Sequence, residues 1–167
     1  MSGSGSAGPA AAGASTRRHV SGLWLGSAVP APELAHEIAV NPIQWSLALV
    51  EPTAVAPPGP ANAPPGSADA PPGSAASPSA FGAGFFDDAA DVPGSPVLFY
   101  TLRGAWDVPT GKVELVKRYD KLSEDLCVTY NGTLAQGPDG QPVLTGAWRN
   151  QLENTHGTFA CRLEESS

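Results

Sequence analysis

Lys117 has the most chemistry to offer in this sequence. In KVELVKRYD (112–120) it shares strand parity with Val113, Leu115 and Tyr119, so an extended segment that turns those three inward turns its ε-amine inward too. An ammonium held in a barrel mouth would bind a carboxylate ligand or shift its pKa. On sequence alone more weight falls on a plainer reading, in which a bulge turns Lys117 outward or its stem carries the charge to the rim. Tyr119 and Tyr130 would add hydroxyls beside the amine. Tyr100, Trp24, Trp45 and Trp148 would add the aromatic walls that surround many small ligands. For the tryptophans, Trp106 included, core packing with each indole N–H bonded to a carbonyl is the plainer expectation.

Other reactive residue types lack a supporting pattern. Asp87, Asp88 and Asp91 offer oxygens for a divalent cation, but without the spaced loop and late bidentate Glu of a calcium site they read as a solvated acidic loop. His19, His36 and His156 stand in separate segments with neither HxH nor HExxH spacing, so no metal and no histidine base is expected. No G-x-S-x-G turn presents a serine nucleophile. Cys127 and Cys161 fall outside any CxxC or Cys/His spacing. Cys161 shares parity with Phe159 and Leu163, whereas Cys127 alternates with Val128 and Tyr130. The two thiols should therefore face opposite sides of a sheet and form no disulfide.

Strands must position these groups. Alternation marks HVSGLWLGS (19–27) and PIQWSLALVE (42–51), the latter with Ile43, Trp45, Leu47 and Leu49 on one face. VLFYTLRGAW (97–106), KVELVKRYD (112–120), LCVTYNGTLAQ (126–136), PVLTGAWRN (142–150) and GTFACRLEE (157–165) follow, separated by turn sequences such as Gly137-Pro138-Asp139-Gly140. Asn131-Gly132 could itself be a tight turn, but one longer strand with Gly132 as a bend is the reading adopted. The only helical candidate lies around Pro32–Ile38 and is limited to a turn or two by Pro42.

The 167 residues include 19 Gly and 18 Pro, and that excess is uneven. Residues 1–16 and 51–80 contain no aromatic residue. The first reads as a disordered tail. The second carries APPGPAN, APPGSAD and APPGSAA in a seven-residue repeat, in which paired prolines block helix and favour polyproline-II segments in a loop. Residues 17–165 then make one domain interrupted by 51–80, with too little chain for two. A net charge of −7 with no basic stripe argues against nucleic acid as a partner. No apolar run reaches the ~20 residues of a membrane span. The expectation is an intracellular, cytoplasmic protein; the Ser/Ala content and Arg17-Arg18 leave organelle import open.

Several motifs recur in order: G-x-W-x-G (Gly22, Trp24, Gly26), G-x-G-x-x-D-D (Gly82, Gly84, Asp87, Asp88), and L-x-G-x-W-D-x-x-T-G-K-V-x-x-x-K-x-Y from Leu102 to Tyr119. Y-x-G-x-L (130–134), L-x-G-x-W (144–148) and G-x-F (157–159) complete the set. Over residues 19–163 the chain resembles the small calycin-like, lipocalin-like barrel domains of uncharacterised plant, algal and protist proteins. That resemblance implies a fold and no shared activity. Short evenly spaced strands without crossover helices point independently to a closed sheet or sandwich.

The fold expected is therefore all-β: a single antiparallel up-and-down barrel of about eight strands. The function expected is a non-catalytic binding or scaffold module for a protein partner or a small apolar ligand, with no cofactor. The alternative is a small-molecule carrier or enzyme that uses a barrel cavity with Lys117, Tyr119 and Tyr130 at its mouth.

Overall fold

The computed structural model describes residues 18–52, 79–86, 97–120 and 126–164. The expected tail, the APPG repeats and the Asp87, Asp88, Asp91 group lie outside them. Eight strands run in chain order: β1 (His19–Pro30), β2 (Asn41–Val50), β3 (Ala80–Phe86), β4 (Leu98–Asp107), β5 (Lys112–Tyr119), β6 (Cys127–Gln136), β7 (Pro142–Asn150) and β8 (Thr155–Leu163). Each pairs antiparallel with its sequence neighbours, and β1 pairs with β8, so the sheet closes as an up-and-down barrel. Closure removes the unpaired edges that an open sheet of this size would leave. No helix of the described residues is long and apolar enough to cross a membrane.

The strands form where period-two alternation puts one apolar set on a common face. In β2 the inward set is Ile43, Trp45, Leu47 and Leu49; in β4 it is Tyr100, Leu102 and Trp106; in β5, Val113 and Leu115. All nine of these side chains are buried. β3 is the strand that alternation misses. Its inward positions are Ala80, Gly82 and Gly84, its large residues Phe81 and Phe85 face outward and are exposed, and Ala80 belongs to the strand rather than to the preceding loop. Ser79 is likewise ordered: its buried hydroxyl accepts the Trp106 backbone N–H at 2.7 Å, and its carbonyl accepts Val50 N–H at 2.7 Å.

The Asn131-Gly132 pair lies inside β6, in register with Ala147 and Gly146 of β7, so the single-strand reading holds. The β6–β7 turn falls at 137–141, where Gly140 adopts φ 81°, a conformation that favours glycine. Among the described residues, helix is confined to a 3-10 turn at Pro32–Leu34.

The two poles differ. At one, the 108–111 and 137–141 turns meet the strand ends Val50 and Ala80 over a packed core that includes Trp24, Leu115, Leu144 and Cys161. At the other, where β1 leads into β2 and β7 into β8, the described residues surround a cavity.

Candidate functional site

The pole at the β1–β2 and β7–β8 connections holds a cavity of about 280 Å³. Four inward positions on adjacent strands build one wall: Trp45 on β2 pairs with Gly84 on β3, Gly84 with Tyr100 on β4, and Tyr100 with Tyr119 on β5. Gly84 is the gap in that row. The Tyr100 phenol lies across it, so near that a Cβ there would stand 2.5 Å from the hydroxyl. Spanning the gap, the Trp45 indole N–H donates to the Tyr100 hydroxyl. Below, Trp45 meets Tyr130 edge-on at 5.0 Å between ring centres, and Tyr130 meets Phe159 in the same manner at 5.2 Å, which floors the cavity with aromatic surface.

Lys117 projects into this cup. Its register on β5 is unbroken, opposite Leu102 on β4 and Val128 on β6, so no bulge turns it outward. Of the two plainer readings weighed on sequence, this continuous ladder removes the bulge. Lys117 Nζ stands 4.7 Å from the ring centres of both Tyr100 and Tyr119 and 6.0 Å from that of Tyr130. Ring faces at that range attract an ammonium. Burial pulls the other way and lowers the Lys117 pKa to about 8.

The same burial holds the phenols neutral. It pushes Tyr100 up to about 12, opposed by the Trp45 hydrogen bond and assisted by Tyr119. It raises Tyr130 well above the ordinary phenol range and raises Tyr119 too, the latter with help from the Glu153 carboxylate. At neutral pH the cup therefore contains hydroxyls and no phenolate to balance the ammonium. Glu153, in the β7–β8 turn, lines the mouth, but its carboxylate accepts the Asn150 side-chain amide at 2.9 Å. Among the described residues the ion pairs are His36–Glu37, His156–Glu33, Arg162–Asp139 and Arg162–Glu164, and none involves Lys117.

Six of the seven residues singled out from sequence, Trp45, Tyr100, Lys117, Tyr119, Tyr130 and Trp148, line this one cavity. Trp24 does not. It is fully buried in the core, with its indole N–H donating to the Leu47 carbonyl at 3.3 Å. Trp148 donates to the Val29 carbonyl at 3.2 Å, whereas the Trp106 indole N–H has no partner among the described residues. Sequence reasoning missed Gly84, Asn150 and Glu153. Asn150 shares parity with Trp148 and could have been found that way, but Glu153 comes from a turn that parity does not reach.

Among the described residues, no three His, Cys, Asp or Glu side chains gather as a metal site. Cys127 faces outward opposite Arg118, Cys161 is buried in the core, and both are free. No protein-family model, no curated protein and no solved structure matches the chain. The chemistry of the cavity has to be read from its own walls.

Proposed function

We propose that this protein is a calycin-like, non-catalytic carrier whose barrel takes one small apolar acid, with Lys117 as the counter-ion of the acid group. The observation that carries this reading is a Lys117 ammonium with no ion-pair partner among the described residues, in an aromatic cup whose phenols stay neutral. A ligand carboxylate would stand beside Lys117 where no described acid comes within ion-pair distance, the Glu153 carboxylate at the mouth being held by the Asn150 amide. The volume sets the scale: about 280 Å³ lies at the low end of ligand pockets and is worth roughly nine waters at ~30 Å³ each. A single-ring acid fits that space better than a long-chain one.

Titration with benzoate tests the reading, followed through the fluorescence of Trp45 and Trp148 in the cavity wall. Saturable binding that benzamide does not reproduce and that Lys117→Met abolishes is the expected result. Equal binding of benzoate by wild type and Lys117→Met would overturn it.

A second reading, contact with a partner protein, is favoured by the outer face of β3 and β4. Phe81, Phe85 and Phe99 are all exposed there, and the Phe85 and Phe99 rings lie 6.5 Å apart. Sedimentation of wild type against the double variant Phe85→Ser/Phe99→Ser tests it for self-association: loss of a concentration-dependent shift would support that form of contact, and identical behaviour would remove it.

A further inference from the structure

We propose that Lys117 is also a covalent anchor for aldehydes, its ε-amine condensing with a small apolar aldehyde inside the barrel to form a Schiff base. This rests on reading the cavity as a ligand site, and it adds a second ligand class that differs from the acid only at the head group.

The geometry supplies three requirements of such an anchor. The amine is held at a fixed place, 4.7 Å from two ring faces, above an aromatic floor that would receive the apolar body of the ligand. It has no carboxylate partner among the described residues that would hold it as an ammonium. Among the described residues the cavity is open at its pole, which gives water an exit. A lysine desolvated in an apolar pocket is the usual form of an amine nucleophile. With burial lowering its pKa to about 8, roughly a tenth of Lys117 is neutral at pH 7, against about one part in three thousand for an ordinary lysine.

The step balances without an outside oxidant or reductant. The Nζ lone pair attacks the aldehyde carbon, and the carbonyl π pair moves to oxygen, which takes a proton from solvent. Nitrogen gives up a proton to leave a carbinolamine, whose hydroxyl takes a second proton from solvent and departs as water as the nitrogen lone pair forms the C=N bond; the remaining N–H proton is then returned to solvent. One water is released per imine, and the reverse sequence frees the ligand.

Only Lys112, Lys117 and Lys121 occur in the chain, which makes the assignment simple to test. Lys112 is exposed at the start of β5 and serves as an internal standard. The full-length protein is incubated near pH 7 with benzaldehyde and sodium cyanoborohydride, whose hydride reduces any imine to a stable benzylamine, and the lysines are compared by peptide mapping. Benzylation of Lys117 at least about tenfold faster than of Lys112 and Lys121 is expected, slowed by added benzoate. Lys117→Arg keeps the positive charge and removes the nucleophile. Total benzylation should then fall to that of the other two lysines. Labelling of Lys117 no faster than Lys112 would overturn the anchor, and if benzoate still binds, the carrier reading survives that failure. Fast Lys117 labelling in a protein that does not bind benzoate would keep the anchor and overturn the acid carrier.

Discussion

Lys117 Nζ stands 4.7 Å from the centre of the Tyr100 ring, and Tyr100 reaches that position by lying across Gly84. A residue with no side chain on β3 thus decides where a ring on β4 meets an amine on β5. Among the described residues the ammonium meets aromatic faces and no carboxylate within ion-pair distance, at a cost in stability that should be measurable.

Lys117→Met should raise stability near neutral pH by about 2 kcal/mol, the burial penalty less the attraction of the ring faces. For a barrel of this size that is a rise in Tm of roughly 5 °C or more. The sign follows from linkage. The native state loses the Lys117 proton near pH 8 and the unfolded chain near 10.5, so wild-type stability climbs from about pH 7 to 9; above that the buried Cys161 thiol, ionised near 9 in the unfolded chain and kept protonated to about 12 in the native state, offsets the slope. Above about pH 10 the trend reverses, because the buried phenols stay protonated in the native state while the unfolded chain ionises, and that contribution fades as pH rises through the raised native values, about 12 for Tyr100. Denaturant titrations at a series of pH values should show the rise in wild type and lack it in Lys117→Met.

Benzoate affinity should fall as pH rises through the Lys117 titration, approaching roughly tenfold per pH unit once the amine is neutral. Calorimetry between pH 6 and 10 reads this directly. A flat profile would mean that the ligand does not use the ammonium.

Gly84→Ala should damage the site and the fold together. The new methyl would lie 2.5 Å from the Tyr100 hydroxyl and 2.6 Å from Cζ, so the ring has to move, with a loss of about 1–3 kcal/mol. Tyr100→Phe is the milder change. It leaves the Trp45 indole N–H without its acceptor and should cost about 1 kcal/mol, with the cavity kept. Thermal melts with benzoate titrations separate the two variants.

The thiols should differ sharply. Burial pushes Cys161 up to about 12, whereas Cys127 is partly exposed on the outer face. A thiol reagent near pH 8 should modify one cysteine per native chain, at Cys127, and two after unreduced denaturation. Two fast native thiols would contradict the burial of Cys161.

Most of the barrel could be read from sequence, because β2 buries a bulky residue at every second position from Ile43 to Leu49, and β4 and β5 follow the same alternation except at Gly104 and toward the mouth. β3 inverts that rule. Its inward glycines make room for Trp45, Tyr100, Leu47 and Leu102 of its neighbours, so its alternation points the wrong way. The site was legible to the same extent. Parity gave Lys117 its inward direction, and only the unbroken register removed the bulge that would have reversed it. Glu153 depends on the course of the β7–β8 turn, about which strand periodicity says nothing.

The ends of the barrel wall carry a further consequence. His19, where β1 begins, Leu163, where β8 finishes, and the strand ends Val50 and Ala80 all lie on the packed side of the molecule, away from the mouth. A tether, a reporter or a solid support attached through those ends would sit at the pole opposite the cavity, a barrel's length from Lys117.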